Sequence, residues 1–253
     1  MEQAVDGTGP NGHETSRSVA VVVPTYNEAE NLPVLADRLF SLNLPNPRLI
    51  VVDDGSPDGT GDVAERLARE HGGRVELIQR GSKQGLGTAY LVGFARALSE
   101  DVDCVLQMDA DLSHELKYVP EFLDGLREAD LVVGSRYVRD GGVDDTWSLF
   151  RRFLSYSANL GIRLVTGLKV KDTTSGFKAF RGATLAGLDL TRFKCTGFAF
   201  QVEMAYACQR KGYTVLEYPI VFASRARGSS KMSMGIAFEA LWRIVPLRWS
   251  KWP

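Results

Sequence analysis

The sequence predicts an α/β fold in which a mostly parallel β-sheet carries helices on both faces. Short apolar segments alternate along the chain with segments of helical spacing, which is the pattern of successive βαβ units. The apolar segments are nearly unbroken, as expected for strands that are buried on both faces. Polar motifs follow four of these segments, and ligands of open parallel sheets bind beyond the carboxyl ends of the strands.

Strands and helices are predicted in alternation along residues 19–133. Apolar runs predict the strands, and apolar residues three or four positions apart, such as Leu32, Leu35 and Leu39, predict the helices. The predicted strands cover residues 19–23, 49–52, 75–79, 104–108 and 131–133. The predicted helices cover residues 30–42, 62–70, 88–98 and 119–128.

Composition excludes several classes of protein. The 253 residues are 44% hydrophobic, which is enough for one sizeable core in one domain or in one domain with an appendage. A net charge of -1 gives no overall attraction to nucleic acid. The three cysteines, Cys104, Cys195 and Cys208, lack paired spacing, which favours reduced thiols over a disulfide framework or a zinc site. No apolar run approaches the length of a transmembrane helix, and residues 1–17 lack the apolar core of a signal peptide.

Three regions are expected along the chain. Residues 1–17 contain few large apolar groups and are predicted to be disordered. Residues 18–232 form the folded domain, and residues 233–253 form a C-terminal amphipathic segment with Pro246 inside it. Apolar residues at helical spacing alternate there with basic ones, which fits either a helix in a membrane interface or a helix packed on the domain.

The motif Asp109-Ala110-Asp111 follows the predicted fourth strand. Two carboxylates one residue apart suit a hard divalent cation, which completes its coordination shell with water and phosphate oxygens. A metal that binds a diphosphate indicates a nucleotide-activated substrate. An isolated motif of this kind is more often a solvated turn, since Asp is common in turns. The neighbouring motifs on the same edge of the sheet favour the metal site here.

Two motifs on this edge suggest nucleotide contacts. Within Pro24-Thr25-Tyr26-Asn27-Glu28, Tyr26 is suited to stack on a base or ribose, and Glu28 is suited to accept hydrogen bonds. The same five residues also fit a strand end followed by a helix start. Asp53 ends the second strand as a candidate acceptor for a nucleobase N–H, whereas residues 54–59 have the composition of a turn.

Basic residues supply candidate phosphate contacts. Arg136 ends the fifth strand beside the acidic edge, and residues 225–231 place three cations among Gly and Ser, as a loop over phosphate requires. Gly85-Leu86-Gly87 opens a helix but lacks the third glycine of a dinucleotide-binding turn. Residues 172–177 are interpreted as a structural turn that enters an aromatic core.

The motifs PTYNE, VVDDGSPDGT, MDADLSH, GSRY, DTTSGFKAF and RARGSSK occur in an order and spacing that resemble one known family. These are the dolichol-phosphate (polyprenol-phosphate) mannose synthases, which are inverting GT-A glycosyltransferases of family 2. The likeness covers about residues 19–231. It implies a GT-A fold, GDP-mannose as donor, a polyprenyl or dolichyl phosphate as acceptor, and Mg2+ or Mn2+ as cofactor. The product would be a sugar donor for glycolipid and glycoprotein mannosylation.

The resemblance also implies roles for individual residues. The guanosine part of the donor would be held by Pro24, Tyr26, Glu28, Val51 and Asp53. Asp109 and Asp111 would bind the metal with the diphosphate, and Ala110 would contact the nucleotide. Arg136, Arg225 and Lys231 would bind phosphate, and Arg151 would face the acceptor phosphate. The expected catalytic residues are Asp111, Arg136 and Arg151. Ser113 stands where some relatives have a metal-binding Gln.

In the implied reaction, a phosphate oxygen of the acceptor attacks C1 of mannose and expels GDP, with inversion. A phosphate monoester is mostly anionic at neutral pH, so this attack requires no strong general base. The resemblance places the protein at the cytoplasmic face of a membrane, with a separate membrane-anchoring protein as a partner. The main alternative is a polyprenyl-phosphate glucosyltransferase that uses UDP-glucose. A nucleotidyltransferase and a non-catalytic nucleotide or lipid sensor are further alternatives.

Overall fold

A seven-stranded sheet forms the centre of the molecule, with the strand order β3-β2-β1-β4-β7-β5-β8. The computed structural model describes residues 18–195, 197–223 and 244–249. The strands are β1 Val19–Thr25, β2 Pro47–Asp53, β3 Val75–Gln79, β4 Cys104–Gln107, β5 Leu131–Ser135, β6 Gly142–Val143, β7 Lys178–Arg181, β8 Val215–Pro219 and β9 Val221–Phe222. The short strands β6 and β9 pair separately and in parallel.

Seven α-helices and three short 3-10 turns connect the strands in the described part of the chain. The helices are α1 Asn31–Ser41, α2 Thr60–Glu70, α3 Leu86–Leu98, α4 Val119–Gly125, α5 Leu149–Thr166, α6 Gly182–Ala186 and α7 Ala199–Arg210. The 3-10 turns are Leu116–Tyr118, Leu190–Arg192 and Val245–Trp249. All five predicted strands and all four predicted helices are present, with ends shifted by up to three residues.

The sheet is parallel except at β7, which runs antiparallel to both of its neighbours, β4 and β5. The sequence did not predict β7. It is only four residues long, and it begins with Lys178, a charged residue that is fully buried in the fold. The prediction of a mostly parallel sheet is confirmed.

Two hydrophobic clusters lie on opposite faces of the sheet. One cluster contains the inward side chains of α3 and α7, including Tyr90, Phe94 and Phe200. The other contains those of α1, α2 and α4, including Leu35 and Phe122. Alternate residues of the same strand divide between the two clusters, as strand geometry requires. The prediction of helices on both faces is therefore confirmed.

The point where the strand order reverses lies at β1. The chain passes from β1 through α1 to β2 on one side, and later from β3 through α3 to β4 on the other side. Loops at the carboxyl ends of β1 and β4 therefore diverge and leave a crevice between them. Open α/β sheets bind ligands at such a switch point. The loops at this crevice carry residues 25–30 and 108–115.

Candidate active site

Asp53 joins the carboxyl ends of β1 and β2. Thr25, its register partner on β1, donates a hydrogen bond from Oγ1 to Asp53 Oδ1 over 2.9 Å. Ser56 donates its backbone N–H to Oδ2 (2.9 Å) and its hydroxyl to Oδ1 (2.5 Å). The Asp53 side chain is fully buried, as is Val51 in the same strand. Three protein donors therefore already fix this carboxylate, and a nucleobase contact by Asp53 stays a prediction.

The loop after β1 holds Tyr26 and Glu28 half-buried at the crevice. The ammonium group of Lys83 lies 4.5 Å from the centre of the Tyr26 ring. Glu28 Oε2 accepts a hydrogen bond from Asn31 Nδ2 over 2.7 Å, at the start of α1. Asn27, between the two, adopts a left-handed backbone with φ +60°. The half-buried Pro24 pairs with Val52 in the sheet.

A buried ion pair between Asp54 and Arg80 supports the loop that carries Lys83. Arg80 also donates to Thr88 Oγ1 (2.8 Å) and to the carbonyl of Gly85 (3.2 Å). The backbone N–H of Gln84 donates to Asp54 Oδ2 over 3.3 Å. Sequence analysis interpreted Asp54 as part of a turn and missed this pair, because its partner lies 26 residues away.

The two carboxylates of the DAD motif are fixed by different partners. Asp109 Oδ1 accepts a hydrogen bond from the Tyr90 hydroxyl, on α3, over 3.0 Å. Asp111 Oδ1 accepts from the backbone N–H (3.1 Å) and hydroxyl (2.5 Å) of Ser113. Burial, together with the negative charge of Asp109, raises the pKa of Tyr90 well above its ordinary value, so the phenol stays a hydrogen-bond donor. Leu112 has φ +62°, a strained backbone of the kind that clusters at functional sites.

His114 contacts the backbone of this motif. Its Nδ1 accepts a hydrogen bond from the backbone N–H of Asp109 over 3.2 Å. Its ring stacks on the Phe177 ring, with the two ring centres 5.0 Å apart. Burial lowers the pKa of His114, although the charges of Asp109 and Asp111 oppose the shift. The imidazole is therefore neutral at physiological pH. It orients the backbone of the motif and carries no positive charge toward a phosphate.

Arg136 forms a buried, two-pronged ion pair with Asp172. Arg136 Nε and Nη2 each lie 2.7 Å from a different oxygen of the carboxylate, and the Arg136 backbone N–H donates to it over 2.9 Å. Thr174 Oγ1 accepts from the same Nη2 over 2.9 Å. Burial raises the pKa of an isolated carboxyl, but the Arg136 charge holds the pKa of Asp172 below its ordinary value. Asp172, which the sequence predicted only as part of a structural turn, thus fixes the predicted site residue Arg136.

Helix α5 is tied to this ion pair by its inward face. Asn159 Nδ2 donates to Thr174 Oγ1 over 3.2 Å, and Tyr137 donates its hydroxyl to Ser155 over 2.6 Å. Arg151, in the first turn of α5, is exposed, and its Cζ atom lies 3.7 Å from the centre of the Trp147 ring. The predicted roles of Arg136 and Arg151 toward substrate stay predictions.

A buried polar network lies beneath the DAD motif. Lys178 Nζ donates to Gln201 Oε1 over 2.6 Å, and Gln107 Nε2 donates both to this oxygen (2.6 Å) and to the carbonyl of Gly176 (3.1 Å). A Cβ added to Gly176 would lie 3.4 Å from Asp109 Oδ2, so the network holds this backbone close to the carboxylate. Burial lowers the pKa of Lys178 to about 7. Sequence analysis missed these residues, because a polar side chain in an apolar run gives no sign of its partners.

Gly87 has a packing role. A Cβ at this position would lie 2.3 Å from the carbonyl oxygen of Cys195 and 2.9 Å from Phe200 Cβ. Gly85, with φ +104°, immediately precedes α3. The glycines of this turn therefore allow close packing of α3, which agrees with the weak support for a dinucleotide site.

The DAD motif fits a hard divalent cation. Mg2+ typically binds through one or two carboxylates and fills its other positions with phosphate oxygens and water. Asp109 and Asp111 provide two carboxylates at the crevice, and Ala110 between them is 3% exposed. Within residues 18–195, 197–223 and 244–249 there is no cluster of three or more His, Cys, Asp or Glu side chains that could hold a metal. The Ser113 hydroxyl is engaged with Asp111.

Several predicted residues lie outside the described parts of the chain. These are Arg225 and Lys231, the tail of residues 1–17, and most of the segment 233–253. Of that segment, residues 244–249 are described. Ile244 and Leu247 are buried in the same cluster as α3 and α7, and Arg248 donates to the carbonyl of Val165 over 3.2 Å. The short piece that is described thus packs on the domain.

Comparison with known proteins identifies the family. The model of a family described as "Glycosyl transferase family 2" matches residues 20–186, which include the β1, β2, β4 and β5 loop motifs. The chain belongs to glycosyl transferase family 2. It is therefore a glycosyltransferase, as the motif resemblance predicted.

Two curated relatives cover almost the whole chain. The undecaprenyl-phosphate mannosyltransferase of Micrococcus luteus is 42% identical over 231 residues, which span 91% of this chain and 93% of that protein. The polyprenol monophosphomannose synthase of Mycolicibacterium smegmatis is 39% identical over 240 residues, which span 94% and 90%. These identities extend beyond the family match into the second half of the glycosyltransferase.

Solved structures share the fold at low sequence identity. Mannosyl-3-phosphoglycerate synthase from Rubrobacter xylanophilus has a TM-score of 0.67 at 21% identity, covering 92% of this chain and 74% of the other. Glucosyl-3-phosphoglycerate synthase from Mycobacterium tuberculosis, in a complex with Mn2+, UDP and product, has a TM-score of 0.63 at 21% identity, covering 92% and 80%. Together with the sheet topology, these likenesses confirm the predicted GT-A fold.

None of the helices in the described part of the glycosyltransferase is long and apolar enough to cross a membrane.

Proposed function

We propose that this glycosyltransferase transfers mannose from GDP-mannose to a polyprenyl or dolichyl phosphate, with inversion at C1. One observation carries the proposal: two relatives named for mannosyl transfer to polyprenyl phosphates are 42% and 39% identical over more than nine tenths of the chain. The polyprenyl-phosphate glucosyltransferase alternative has no comparable support.

On the donor side, the crevice between β1 and β4 would hold GDP-mannose. The guanosine would lie against Pro24, Tyr26 and Glu28, with Val51 and Asp53 at the end of β2 behind them. The exposed ammonium of Lys83 beside Tyr26 makes this side of the crevice more favourable for an anionic nucleotide. Ala110 would contact the nucleotide from the opposite loop.

Asp109 and Asp111 would hold Mg2+ or Mn2+ with the donor diphosphate. When bound, such a cation supplies charge neutralisation of the leaving diphosphate. The protein's own contribution is to orient both carboxylates. Tyr90 and Ser113 achieve this by donating hydrogen bonds to Asp109 and Asp111.

On the acceptor side, the attacking group is itself an anion. A phosphate monoester is largely ionised at neutral pH, so the site needs cations that position it and has little need of a base. This agrees with His114, which is buried, neutral and engaged at Nδ1. Arg136 and Arg151, with Arg225 and Lys231, would bind the acceptor phosphate and the diphosphate. Asp172 would act as a positioning residue that fixes Arg136.

The reaction would take place at the cytoplasmic face of a membrane. A nucleotide sugar is soluble in water and a polyprenyl phosphate resides in lipid, so the two substrates meet only at a membrane surface. A separate membrane-anchoring protein is part of this proposal through the motif resemblance. Purification of the active enzyme from membranes without any integral membrane protein would argue against that partner.

A transfer assay tests the proposal. Purified full-length chain is incubated with Mg2+ or Mn2+, radiolabelled GDP-mannose and a polyprenyl phosphate in detergent, and the label that enters the organic phase is counted. We expect transfer that EDTA abolishes and that UDP-glucose does not support. Transfer from UDP-glucose alone would replace mannose by glucose, and transfer from neither donor would contradict the proposed reaction.

A further inference from the structure

Helix α5 has the opposite polarity to a helix of a water-soluble protein. Such a helix normally turns its apolar stripe toward the core and its polar residues toward water. The inward face of α5 instead carries the polar residues Ser155, Asn159 and Thr166 together with one apolar residue, Ile162, and Asn159 and Thr166 are 2% and 5% exposed. Its outward face carries large apolar side chains with the following exposed fractions: Leu149 82%, Phe150 74%, Phe153 68%, Leu154 41%, Tyr156 55%, Leu160 41% and Leu164 73%.

This outward face is a feature of α5 alone among the described helices. Seven of the twelve exposed large hydrophobic side chains in the described part of the chain lie on it, and they recur every three or four residues. The other five are isolated on different elements, as single exposed hydrophobics commonly are, and each is at most 40% exposed. A contiguous apolar surface of this kind marks an interaction site.

Charge indicates what the face contacts. The 18 residues of α5 contain no acidic residue, and the exposed Arg151 lies in its first turn. The helix also contains Arg163 and Arg152, of which Arg152 donates to the carbonyls of Trp147 and Asp144. Lys169 and Lys171 follow the helix and are exposed. A helix with a continuous apolar face, basic residues and an aromatic residue with a polar end such as Tyr156 fits the interface of an anionic lipid bilayer. A second protein chain would not require this excess of positive charge.

The position of α5 favours the same occupant. The inward face holds the acceptor side of the site, since Asn159 Oδ1 accepts from the backbone N–H (2.9 Å) and hydroxyl (2.8 Å) of Thr173, next to Asp172. The apolar face is therefore separated from the Arg136–Asp172 pair by about one helix diameter, roughly 10 Å. If a bilayer lay against this face, the phosphate groups of its lipids would be level with the Arg136–Asp172 pair.

We propose that the outward face of α5 docks the glycosyltransferase on an anionic lipid bilayer and so presents the site to a phosphate of the membrane surface. This inference rests on the proposed function for the identity of the acceptor. It differs from the sequence-based expectation, which offered residues 233–253 as either a membrane-interface helix or a helix packed on the domain.

Vesicle flotation tests the docking face. Full-length chain is mixed with protein-free vesicles of phosphatidylcholine with and without phosphatidylglycerol, and binding is compared for wild type and the triple variant Phe150→Gln, Phe153→Gln, Leu164→Gln. Glutamine keeps helix propensity. The matched control is Val34→Gln, Val92→Gln, Leu216→Gln, which removes three isolated exposed apolar side chains from α1, α3 and β8.

We expect the wild type to float with anionic vesicles and the α5 variant to bind them about tenfold or more weakly, because its apolar contact is lost. The control variant should bind like the wild type, and melting temperatures should agree. Three outcomes would overturn the proposal. They are a wild type that does not bind protein-free vesicles, an α5 variant that binds as well as the wild type, and a dimer that the α5 substitutions dissociate while flotation is unchanged.

A second readout separates this inference from the proposed function. Mannose transfer is measured with a short, water-soluble prenyl phosphate and with a long polyprenyl phosphate embedded in vesicles. We expect the α5 variant to keep its turnover on the short acceptor and to lose most of it on the embedded one. If the wild type floats with vesicles but transfers no mannose, the proposed function is contradicted and the proposed docking face is supported. If the wild type transfers mannose but does not float, the proposed docking face is contradicted and the proposed function is supported.

Discussion

The two halves of this glycosyltransferase fix their polar site residues in different ways. In the N-terminal half, residues 18–114, Asp53 and Asp111 each accept hydrogen bonds from a residue two or three positions further along the chain. In the C-terminal half, residues 131–223, Asp172 binds Arg136 across 36 residues, and Glu217 accepts from the backbone of Lys171 across 46.

This difference explains why the polar site residues of the first half are easier to recognise in the sequence than those of the second half. Local turns help to hold Asp53 and Asp111, so their chemistry can be recognised in short motifs. Long-range contacts add to these turns, since Asp53 also accepts from Thr25 across 28 residues and Asp109 accepts from Tyr90 across 19. The proposed acceptor side is assembled by tertiary contacts between the end of β5, helix α5 and the loop that precedes β7. We therefore expect substitutions in the first half to affect chemistry more than stability, and those in the second half to affect both.

Asp111→Asn should cause the largest loss of transfer activity and should leave the fold intact. Asparagine can still accept the Ser113 hydrogen bonds at Oδ1, so the turn is kept while the charge is lost. We expect mannose transfer to fall by about 10²- to 10³-fold or more, the loss typical of removing one charge-stabilising group. Steady-state transfer and thermal unfolding are measured together.

Asp58→Asn is the matched control, since Asp58 accepts from the backbone N–H and hydroxyl of Thr60 in the same local geometry. It should retain transfer. Equal losses in both variants would refute the assignment of Asp111 to the metal.

Asp172→Ala should give the largest loss of stability. It leaves the Arg136 charge buried without its partner, which typically costs about 3–5 kcal/mol in the free energy of unfolding. Urea unfolding measures this loss. The exposed pair Asp124–Arg127 provides the control, because Asp124→Ala should cost less than about 1 kcal/mol. Similar small losses in both variants would contradict the assembly of the acceptor side around a buried ion pair.

Lys178 should make the free energy of unfolding depend on pH, with an effect of intermediate size. Burial lowers its pKa from 10.5 to about 7 in the folded state, although Asp172 opposes the shift. Between these values the unfolded chain binds the extra proton, so stability rises with pH across this window. The free energy of unfolding of the wild type relative to Lys178→Met should increase by up to about 1.4 kcal/mol per pH unit. A difference that stays constant from pH 7 to 9 would contradict the buried position of this ammonium group.

Asp58→Ala should give the smallest effect. Burial opposes the shift, but hydrogen bonds from Thr60 and Ala29 lower the pKa of Asp58. Its stabilising effect is present above the unfolded pKa of 3.8 and is lost as the pH falls through the lower folded pKa. We expect a loss of about 0.5–1 kcal/mol at neutral pH, the size of the net contribution of a typical hydrogen bond. Chemical unfolding at neutral pH and near pH 3 should show that the difference shrinks on acidification.

The contrast between the halves also sets the limit of sequence-based prediction. The strands β1 to β5 and the DAD motif could be predicted, because hydrophobic period and local turn chemistry specify them. Strand β7 could not, since its four residues include the buried Lys178. The partners Tyr90 and Asp172 could not either, because each meets its site residue only through tertiary packing. Helix α5 was not among the predicted helices, and the helical spacing of its apolar residues would by itself predict a buried face.

The most direct test of the account is the identity of the product. Mannose transfer from GDP-mannose to a polyprenyl phosphate is run on the purified chain, and the lipid product is analysed by mass spectrometry and NMR. The account predicts a mannosyl phosphoryl polyprenol with a β-linked sugar, formed by the wild type and not by Asp111→Asn. An α-linked sugar, a hexose that comes only from UDP-glucose, or equal product from Asp111→Asn would contradict it.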